Sequence, residues 1–423
     1  MKPAARTLPE WLHYQEQLHP RSIDLGLERV RRVAQRLGLL PLPCRSVIVG
    51  GTNGKGSTAA MIAALAQAHG LRVGLFTSPH LLRYQERIQV DGVEAQAADL
   101  VADFEQIEAA RADDSLTFFE FNALAALLRF RADGVQLAVL EVGLGGRLDA
   151  TNVVDAEVAV LCSIGFDHRD WLGDTLEAIG QEKAGIFRAG QAVILGTRNM
   201  PESVGARVRA LQCRVAIDGL DYHCQRHNDS SWEYRDAEGV LPALPAPALA
   251  GAIQYHNAAS AIAALRVLLQ PRPLAADALA QGLRALRLPG RLQIIAGPVE
   301  WLLDVAHNQA AAQVLAAELR ARPPTGRTLA VLGMLADKDA AAVAAALDPF
   351  VAEWLLCSIP ESRGLEAAQL RARLGALRGA CRLHDSVALA CERARAAAQS
   401  GDRVLVCGSF HTVGPALQWL GLY

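Results

Sequence analysis

Short apolar runs, many of them β-branched, alternate with Ala- and Leu-rich stretches along almost the whole chain, and this alternation constrains the fold most. Continuous apolar strands separated by helices are typical of a parallel sheet that helices cover on both faces. The sequence therefore predicts an α/β fold. The predicted strands are 46–50, 72–77, 137–143, 158–165, 192–196, 301–305, 328–335, 353–359 and 403–410. The predicted helices are 57–70, 174–184, 256–269 and 274–287.

The alternation is interrupted between residues 213 and 250. The segment "SWEYRDAEG" (231–239) predicts a hairpin, and the proline-rich segment 241–251 predicts a loop. A Pro-Gly break in "LPGR" (288–291) precedes a second series of strands. We therefore predict a large N-terminal P-loop domain with a mostly parallel sheet, residues 1–288. A smaller C-terminal Rossmann-like α/β domain, residues 289–423, follows it.

Charge and composition exclude several classes of protein. The net charge is −2 and no basic stripe is present, so nucleic-acid binding is not expected. No apolar run is long enough for a membrane span, and the N-terminus lacks an apolar signal core, so a cytoplasmic location is expected. The eight cysteines form no CxxC pair, and no Cys/His spacing matches a zinc site. We therefore expect reduced cysteines, several of them buried.

The first predicted strand runs into "GGTNGKGST" (50–58) and then into a helix. In such a turn the backbone N–H groups and the positive end of the helix dipole point at one place, which suits a phosphate. Gly54 and Gly56 permit close approach of the backbone, Lys55 supplies a full charge, and Ser57 and Thr58 are candidate Mg²⁺ ligands. The spacing departs from the usual P-loop pattern, so a glycine-rich turn with an incidental lysine stays the alternative.

Oxygen and imidazole groups follow three other predicted strands. Ser78 and His80 follow one strand, Glu141 lies at the end of a second, and Asp167 and His168 follow a third. The carboxyl ends of parallel strands meet at one edge of a sheet, where open α/β folds bind ligands. Phosphoryl transfer from a nucleotide needs a divalent metal. The sequence therefore predicts a metal site beside the phosphate loop.

Each of these residues has an alternative role. Ser78 can cap the following segment, Glu141 can form a structural ion pair, and His168 can be a hydrogen-bonded loop residue. Glu182 and Lys183 fall in a predicted helix. From the residues alone, a solvated charge pair is the favoured interpretation of these two.

Long segments of the chain resemble the folylpolyglutamate synthase/dihydrofolate synthase family, relatives of the Mur peptidoglycan ligases. The segments that carry this resemblance run in order through nearly the whole chain: "GTNGKGS" (51–57), "TSPHL" (77–81), "RYQERI" (83–88), "LEVGLGGRLDATN" (140–152), "EKAGIF" (182–187), "NAASA" (257–261), "PGRLQ" (289–293), "DVAHN" (304–308), "LGMLADKD" (332–339) and "VCGSFHTVG" (406–414). In addition, "IDLGLERV" (23–30) and "LTFFEF" (116–121) resemble the bacterial form that performs both reactions.

The resemblance implies roles for individual residues. The residues that it assigns to ATP are Thr52, Asn53, Gly54, Lys55, Gly56, Ser57, Asn257, Arg291 and Asp304, with His307 as a neighbouring candidate. The residues that it assigns to two Mg²⁺ sites are Ser57, Ser78, Glu141, His168 and Lys183. Lys183 matches a lysine that CO₂ converts to an anionic carbamate. The residues that it assigns to catalysis are Lys55, Glu141, His168 and Lys183.

The resemblance also implies the substrates. The residues that it assigns to the pterin substrate are Asp24, Leu25, Gly26, Leu27, Thr117, Phe118, Phe119, Glu120, Leu148, Asp149 and Ala150. The implied reaction joins L-glutamate to dihydropteroate, and to tetrahydrofolate and its glutamylated forms, through an acyl phosphate made with ATP. The family also suggests a monomer.

Three other functions are compatible with parts of the sequence. A ligase of the same superfamily could act on a cell-wall nucleotide precursor. A nucleotide-driven switch or motor would hydrolyse ATP without an acceptor carboxylate, but the sequence has no clear mark of a partner-binding surface. The set of metal-ligand types argues against a protein that only binds folate or nucleotide.

Overall fold

The computed structural model describes residues 6–21, 23–227 and 230–423. Within them the chain forms two compact units. Unit 1 contains the residues up to 164 together with 175–246 and 255–286, and unit 2 contains 165–174, 247–254 and 287–423. Among the described residues, no helix combines the length and the apolar character that crossing a membrane requires.

The elements alternate as the sequence predicts. The helices are α1 (Leu8–Leu18), α2 (Glu28–Arg36), α3 (Lys55–Ala68), α4 (Ala97–Arg111), α5 (Phe118–Ala132), α6 (Arg169–Leu172), α7 (Leu176–Lys183), α8 (Glu202–Ala210), α9 (Ile253–Leu269), α10 (Ala276–Ala285), α11 (Gln309–Ala321), α12 (Ala340–Leu347), α13 (Ala367–Arg373), α14 (Val387–Ala397) and α15 (Phe410–Trp419). The strands are β1 (Arg45–Gly50), β2 (Val73–Phe76), β3 (Ile88–Val90), β4 (Val93–Glu94), β5 (Leu137–Glu141), β6 (Val158–Leu161), β7 (Ala192–Leu195), β8 (Arg214–Ile217), β9 (His223–Arg226), β10 (Ser231–Asp236), β11 (Gly239–Pro245), β12 (Gln293–Ile295), β13 (Glu300–Leu303), β14 (Thr328–Leu332), β15 (Glu353–Cys357), β16 (Ala380–His384) and β17 (Arg403–Cys407).

The large sheet of unit 1 has the strand order β4-β3-β2-β5-β1-β6-β7-β8. The strands from β2 to β8 in this order are parallel, and β3 and β4 form an antiparallel edge. In the centre, Val47 of β1 lies opposite Val139 of β5 and Val158 of β6, and all three are buried. This is the pattern of a parallel sheet covered on both faces.

Helix α3 follows β1 directly and carries the phosphate loop at its start. Ala59, Met61, Ile62 and Leu65 of this helix are buried, as are the hydroxyl residues of its first turn. A helix that is apolar around most of its circumference packs inside a domain rather than on its surface. Burial of α3 therefore fixes the loop at its N-terminus to the core of unit 1.

Unit 1 also contains an antiparallel sheet with the order β11-β10-β9. The hairpin predicted at 231–239 is confirmed by β10 and β11. The loop predicted at 241–251 is wrong over its first part, because β11 continues to Pro245. Since β11 is an edge strand of this sheet, Pro242 and Pro245 are tolerated there.

The sheet of unit 2 has the order β12-β13-β17-β14-β15-β16. Strands β13 to β16 in this order are parallel, and β12 pairs antiparallel with β13. Helices α11 to α15 follow its strands, and the apolar core contains Leu315, Leu332, Trp354 and Leu405. The predicted fold class, a parallel-rich α/β sheet followed by a second α/β sheet, is confirmed.

Candidate functional site

The turn between β1 and α3 is built around two glycines in the left-handed region. Gly51 has φ +140° and Gly54 has φ +88°, and other residues adopt such values at a cost. A Cβ on Gly54 would also lie 3.0 Å from the side-chain oxygen of Asn257. Glycine therefore allows the turn, and the turn places Asn257, one of the predicted ATP contacts, against the phosphate loop.

Ser163, which follows β6, braces this loop. Its carbonyl oxygen accepts a hydrogen bond from the N–H of Thr52 at 2.8 Å. Its hydroxyl accepts from the N–H of Asn53 at 3.0 Å and donates to the Asn53 carbonyl at 3.0 Å. Sequence reasoning missed Ser163, because the predicted strand ran to residue 165 and included it, whereas β6 ends at Leu161.

Two lysine ammonium groups meet at one oxygen of the loop. The Nζ of Lys55 donates to the carbonyls of Gly51 at 3.1 Å and Thr52 at 3.2 Å. The Nζ of Lys183 donates to the same Gly51 carbonyl at 3.0 Å. Lys55 therefore places a cation at the N-terminus of a buried helix, where the helix dipole is also positive and suits a phosphate, and Lys183 reaches the same oxygen from α7.

The interpretation of Glu182 and Lys183 as a solvated charge pair is wrong. Lys183 is 5% exposed, and its side chain enters the core beneath the phosphate loop. Glu182 pairs instead with Arg147, whose Nε lies 2.9 Å from the carboxylate. Helix α7 begins at the cap of Thr175, which accepts from the N–H of Ala178, and it directs its last residue inward.

Glu141 and Ser78 also come together in unit 1. Glu141 is the last residue of β5 and is 4% exposed, and its Oε2 accepts from the N–H of Ser78 at 3.0 Å. Burial lowers the pKa of Arg87, and the charge of Glu141 is among those that oppose this shift. Both predicted roles of Glu141, as a structural charge partner and as an oxygen ligand, are compatible with this position.

In unit 2, Asp167 is the centre of a polar cluster. Its carboxylate lies 2.6 Å from the Nζ of Lys338 and accepts from the side-chain amide of Asn308 at 3.0 Å. The Nε2 of His307 lies 3.5 Å away. Burial alone would raise the pKa of Asp167, but the hydrogen bond from His307 and the charges of His168 and Lys338 hold it well below its usual range.

His168 lies at the edge of this cluster. It has φ +51°, a left-handed conformation that is uncommon outside glycine, and it begins α6. Its Nε2 lies 3.3 Å from the Nζ of Lys338. His168 thus belongs to unit 2, whereas Ser78 and Glu141 belong to unit 1.

In unit 2, Arg291 lies just before β12 and Asp304 directly follows β13. The half-buried Asp304 carboxylate accepts from the N–H groups of Leu292 at 2.7 Å and Ala306 at 2.8 Å. Burial raises the pKa of Asp304, and the charge of Arg291 opposes that rise. The guanidinium of Arg291 also stacks over the ring of Phe410, 4.9 Å from its centroid.

The comparison with known proteins decides the family. The model of the Mur ligase middle domain matches residues 49–265, and that of the Mur ligase glutamate ligase domain matches residues 290–410. The dihydrofolate synthase/folylpolyglutamate synthase of Escherichia coli (strain K12) is 44% identical over 415 residues, 98% of this chain and 96% of that protein. This chain belongs to the dihydrofolate synthase/folylpolyglutamate synthase family.

Solved structures of this family match both units. Escherichia coli FolC in complex with DHPP and ADP matches with a TM-score of 0.93 and 44% identity, covering 100% of this chain and 99% of that chain. A bifunctional folylpolyglutamate synthase/dihydrofolate synthase with Mn, AMPPNP and L-glutamate bound matches with a TM-score of 0.90 and 42% identity, covering 100% of each chain. The resemblance and the ligase class predicted from the sequence are thereby confirmed.

Two of the segments that the family resemblance assigns to the pterin are tied together by Arg29. Its Nε donates to the buried carboxylate of Glu120 at 2.9 Å, and its Nη1 donates to Asp24. Thr117 caps α5, and its N–H and hydroxyl both donate to Glu120. Sequence reasoning missed Arg29, although it lies within the N-terminal segment that resembles the family.

Gly143, in the loop after β5, contacts both the second segment and the third. A Cβ on Gly143 would lie 2.5 Å from the ring of Phe119, so the loop after β5 packs closely on the start of α5. The buried carboxylate of Asp149 accepts from the N–H groups of Gly143 and Leu144, and also from that of Thr151. Burial raises the pKa of Asp149. In this structure Asp149 shapes the loop.

The remaining predicted pterin residues border the same region. Most of them are half-buried, which leaves part of each residue accessible: Leu25, Gly26, Leu27, Phe118 and Leu148. Ala150 is buried at the start of a short 3₁₀ turn. All three predicted segments lie in unit 1.

Proposed function

We propose that this chain uses ATP to join L-glutamate to dihydropteroate and to folate glutamyl tails. The observation that carries the proposal is the convergence of Lys55 and Lys183 on the Gly51 carbonyl at a strand–helix turn. Support comes from relatives that bind DHPP with ADP, and AMPPNP with Mn and L-glutamate. The Escherichia coli relative is named for both reactions, and both are proposed here for this chain.

The proposed reaction activates a carboxylate before an amine arrives. An oxygen of the acceptor carboxylate attacks the γ-phosphorus of ATP, the bond to the bridging oxygen breaks, and ADP leaves. The amino nitrogen of L-glutamate then attacks the acyl carbon. The C–O bond breaks, phosphate leaves with the former carboxylate oxygen, and the amine loses a proton. An amide forms without an enzyme nucleophile, so the protein acts by positioning and charge stabilisation.

The phosphate loop supplies most of that stabilisation. The N–H groups at the start of α3, with Lys55 beside them, are placed to bind the β- and γ-phosphates. The resemblance assigns the remaining nucleotide contacts to Thr52, Asn257, Arg291 and Asp304, with His307 as a further candidate. These assignments are part of the proposal.

The donor set fits a divalent metal. Serine hydroxyls and a buried carboxylate are hard oxygen ligands, and Mg²⁺ is bound by such groups together with substrate phosphates. We assign the metal to Ser57, Ser78, Glu141 and His168, and a second ion to a carbamate on Lys183. Bound Mg²⁺ neutralises charge that develops on the transferred phosphoryl group.

A carbamate on Lys183 requires the neutral amine to add CO₂. Burial and a neighbouring like charge both favour the neutral form of an amine. Lys183 has both, since it is 5% exposed and shares its acceptor with Lys55. The product is an anion, so a cation beside the loop becomes a pair of oxygen ligands.

The proposal includes the organisation of the protein. We infer an ATP- and pterin-binding domain over residues 1–288 and a C-terminal domain over 289–423, acting as a monomer. The two family models, which cover 49–265 and 290–410, support these limits.

Release of ADP in five mixtures tests the function. Purified protein with ATP and Mg²⁺ receives dihydropteroate or tetrahydrofolate, each with and without L-glutamate, and a fifth mixture contains L-glutamate but no acceptor. We expect ADP release to require both acceptor and L-glutamate. We also expect ¹⁸O from the acceptor carboxylate to appear in the released phosphate. ADP release without an acceptor, or release stimulated only by a muramoyl nucleotide, would contradict the proposal.

A further inference from the structure

Three metal-ligating side chains from separate elements of unit 1, none of them among the predicted Mg²⁺ ligands, meet at one point. Asp218 follows β8, Cys224 lies on β9, and His256 lies in the first turn of α9. The Nδ1 of His256 is 2.5 Å from a carboxylate oxygen of Asp218 and 3.5 Å from the Sγ of Cys224. One ligand atom from each residue lies within 4.8 Å of the other two.

The geometry of this cluster argues against a nucleophilic relay. In a Cys–His–Asp relay the imidazole contacts the thiol through one ring nitrogen and the carboxylate through the other. Here Cys224 and Asp218 both approach the Nδ1 of His256. One nitrogen cannot accept a proton from the thiol while it donates to the carboxylate, but three ligands grouped around one point can share a cation.

The chemistry of the three groups selects the kind of cation. Thiolate, imidazole and carboxylate bind Zn²⁺ at roughly 2.0–2.3 Å, which puts tetrahedral ligand atoms roughly 3.3–3.7 Å apart. The 3.5 Å between Cys224 and His256 fits this spacing. The contact between His256 and Asp218 would have to lengthen by about 1 Å. The exposed imidazole has room for this movement, whereas Asp218 is buried and fixed.

We propose that Asp218, Cys224 and His256 form a binding site for Zn²⁺ or another thiophilic divalent metal. The site is partly open, because Cys224 is half-buried and His256 is exposed, so water can complete a tetrahedron. The ligand spacing explains why no zinc pattern is seen in the sequence. One ligand is a carboxylate, and the histidine is far along the chain from the other two.

The surrounding structure holds the backbone of two of the ligands, Asp218 and His256, in place without the metal. The Asp218 N–H donates to the carbonyl of Leu195 at 2.9 Å, which extends the pairing of β7 and β8. The carbonyl of His256 accepts from the hydroxyl of Ser260, which also contacts Tyr222 at 2.9 Å. A site held in this way in advance loses little conformational entropy when it binds an ion.

Titration with Co²⁺ tests the proposal on the full chain. Metal-free protein, kept reduced with a non-thiol reductant, receives CoCl₂ in an excess of MgCl₂ that occupies oxygen sites. We expect one equivalent of Co²⁺ to produce a near-ultraviolet thiolate-to-cobalt absorption band, and Zn²⁺ to abolish it. An oxygen and imidazole site has no thiolate ligand and gives no such band, so the predicted Mg²⁺ ligands cannot produce this signal.

Variants identify the ligands. Cys224→Ser should lose the band, and Asp218→Asn and His256→Ala should each weaken Co²⁺ binding at least about tenfold. Two matched controls should keep it: Cys213→Ser, which removes another half-buried thiol of unit 1, and His223→Ala, which removes an exposed histidine of β9. Absence of stoichiometric Zn²⁺ from the wild-type chain after equilibrium dialysis would overturn the proposal without any variant. A band that survives in Cys224→Ser would overturn it equally.

Discussion

Lys55 and Lys183, 128 positions apart in the sequence, donate to the same carbonyl oxygen, that of Gly51. The first lysine begins α3, and the second ends α7. Their side chains therefore contact the phosphate loop from two different helices. The two lysines have different proposed roles, because Lys55 is to act as a cation and Lys183 as an anionic carbamate.

This difference predicts that an added small carboxylate restores activity to a Lys183 variant but not to a Lys55 variant. Lys183→Ala should lose most ligase activity, at least about 100-fold, because the oxygen ligands at a charged transition state are lost. Acetate or formate should restore part of the activity by supplying a carboxylate where the carbamate would be. Lys55→Ala should be equally inactive and should not respond, since it lacks a positive charge.

Isotope labelling provides a direct check of the modification. With ¹³C-bicarbonate, the wild-type chain should show a carbamate carbon in its NMR spectrum, and Lys183→Arg should not. Full activity of Lys183→Arg would contradict the carbamate, because a guanidinium keeps the charge and cannot form one.

The brace formed by Ser163 should be visible in nucleotide binding. Ser163→Ala removes two hydrogen bonds to the backbone of Asn53, each worth about 1 kcal/mol. We expect the KM for ATP to rise roughly 5- to 30-fold with little change in the KM for the pterin acceptor. Ser203→Ala, on α8 of the same unit, is the control. Equal KM values for ATP in the two variants would show that the brace does not matter.

The contacts of Arg29 with Glu120 and Asp24 predict the converse effect, a change in the KM for the pterin acceptor and not in the KM for ATP. Arg29→Ala leaves the buried Glu120 without its cation and breaks its link to Asp24, which keeps only the longer contacts with His19 and Arg21. We expect the KM for dihydropteroate to rise about tenfold, a loss of about 1.4 kcal/mol, with the KM for ATP unchanged. Arg31→Ala, an exposed neighbour on α2, should behave as wild type. A rise in the ATP KM of the same size would point to general loss of structure instead.

The sequence predicted the phosphate loop, the strand ends and both sheets because these depend on local pattern. Apolar runs define strands, and a glycine-rich turn between a strand and a helix has few structural alternatives. Ser163 and Arg29 were missed because their partners are 110 and 91 positions away in the sequence. A single polar residue with a distant partner carries no periodic signal.

Lys183 was misjudged for a different reason. Charged residues in a helix are usually solvated, and that general rule favoured the wrong interpretation. Yet Lys183 lies four positions after Ile179, which is buried, so both side chains are on one face of α7. Helical periodicity therefore contained the correct answer, and applying it before the general rule would have found the buried lysine.

The contact between Lys338 and Asp167 can be measured with a double-mutant cycle. Lys338→Met removes the nearest cation, 2.6 Å from a carboxylate that is 9% exposed, and should cost about 3 kcal/mol of unfolding free energy. In an Asp167→Asn background the same change should cost at least 1 kcal/mol less. Urea unfolding of the four proteins gives the coupling. Strictly additive effects would mean that the pair contributes nothing.

A buried carboxyl in α4 gives the chain a predictable pH dependence. Burial raises the pKa of Asp103 to about 6, and the nearest charge, Arg129, lies 3.8 Å away. In the unfolded chain this group titrates near pH 4. Between about pH 4 and 6 the folded state therefore binds more protons than the unfolded state, and the contribution of Asp103 to stability falls as pH rises.

Asp103→Asn should abolish this contribution to the pH dependence. The variant should be more stable than wild type by about 2 kcal/mol at pH 7 and of similar stability at pH 4. Arg129 keeps carboxylate partners in Asp99 at 3.4 Å and Asp133 at 3.1 Å, so its charge is not left alone. Asp99→Asn, whose side chain is 53% exposed, is the control and should leave the difference between pH 4 and 7 unchanged. Urea unfolding at both pH values measures these stabilities. If the unfolding free energies of wild type and Asp103→Asn changed equally between pH 4 and pH 7, the carboxyl would be ionised at no cost in the core.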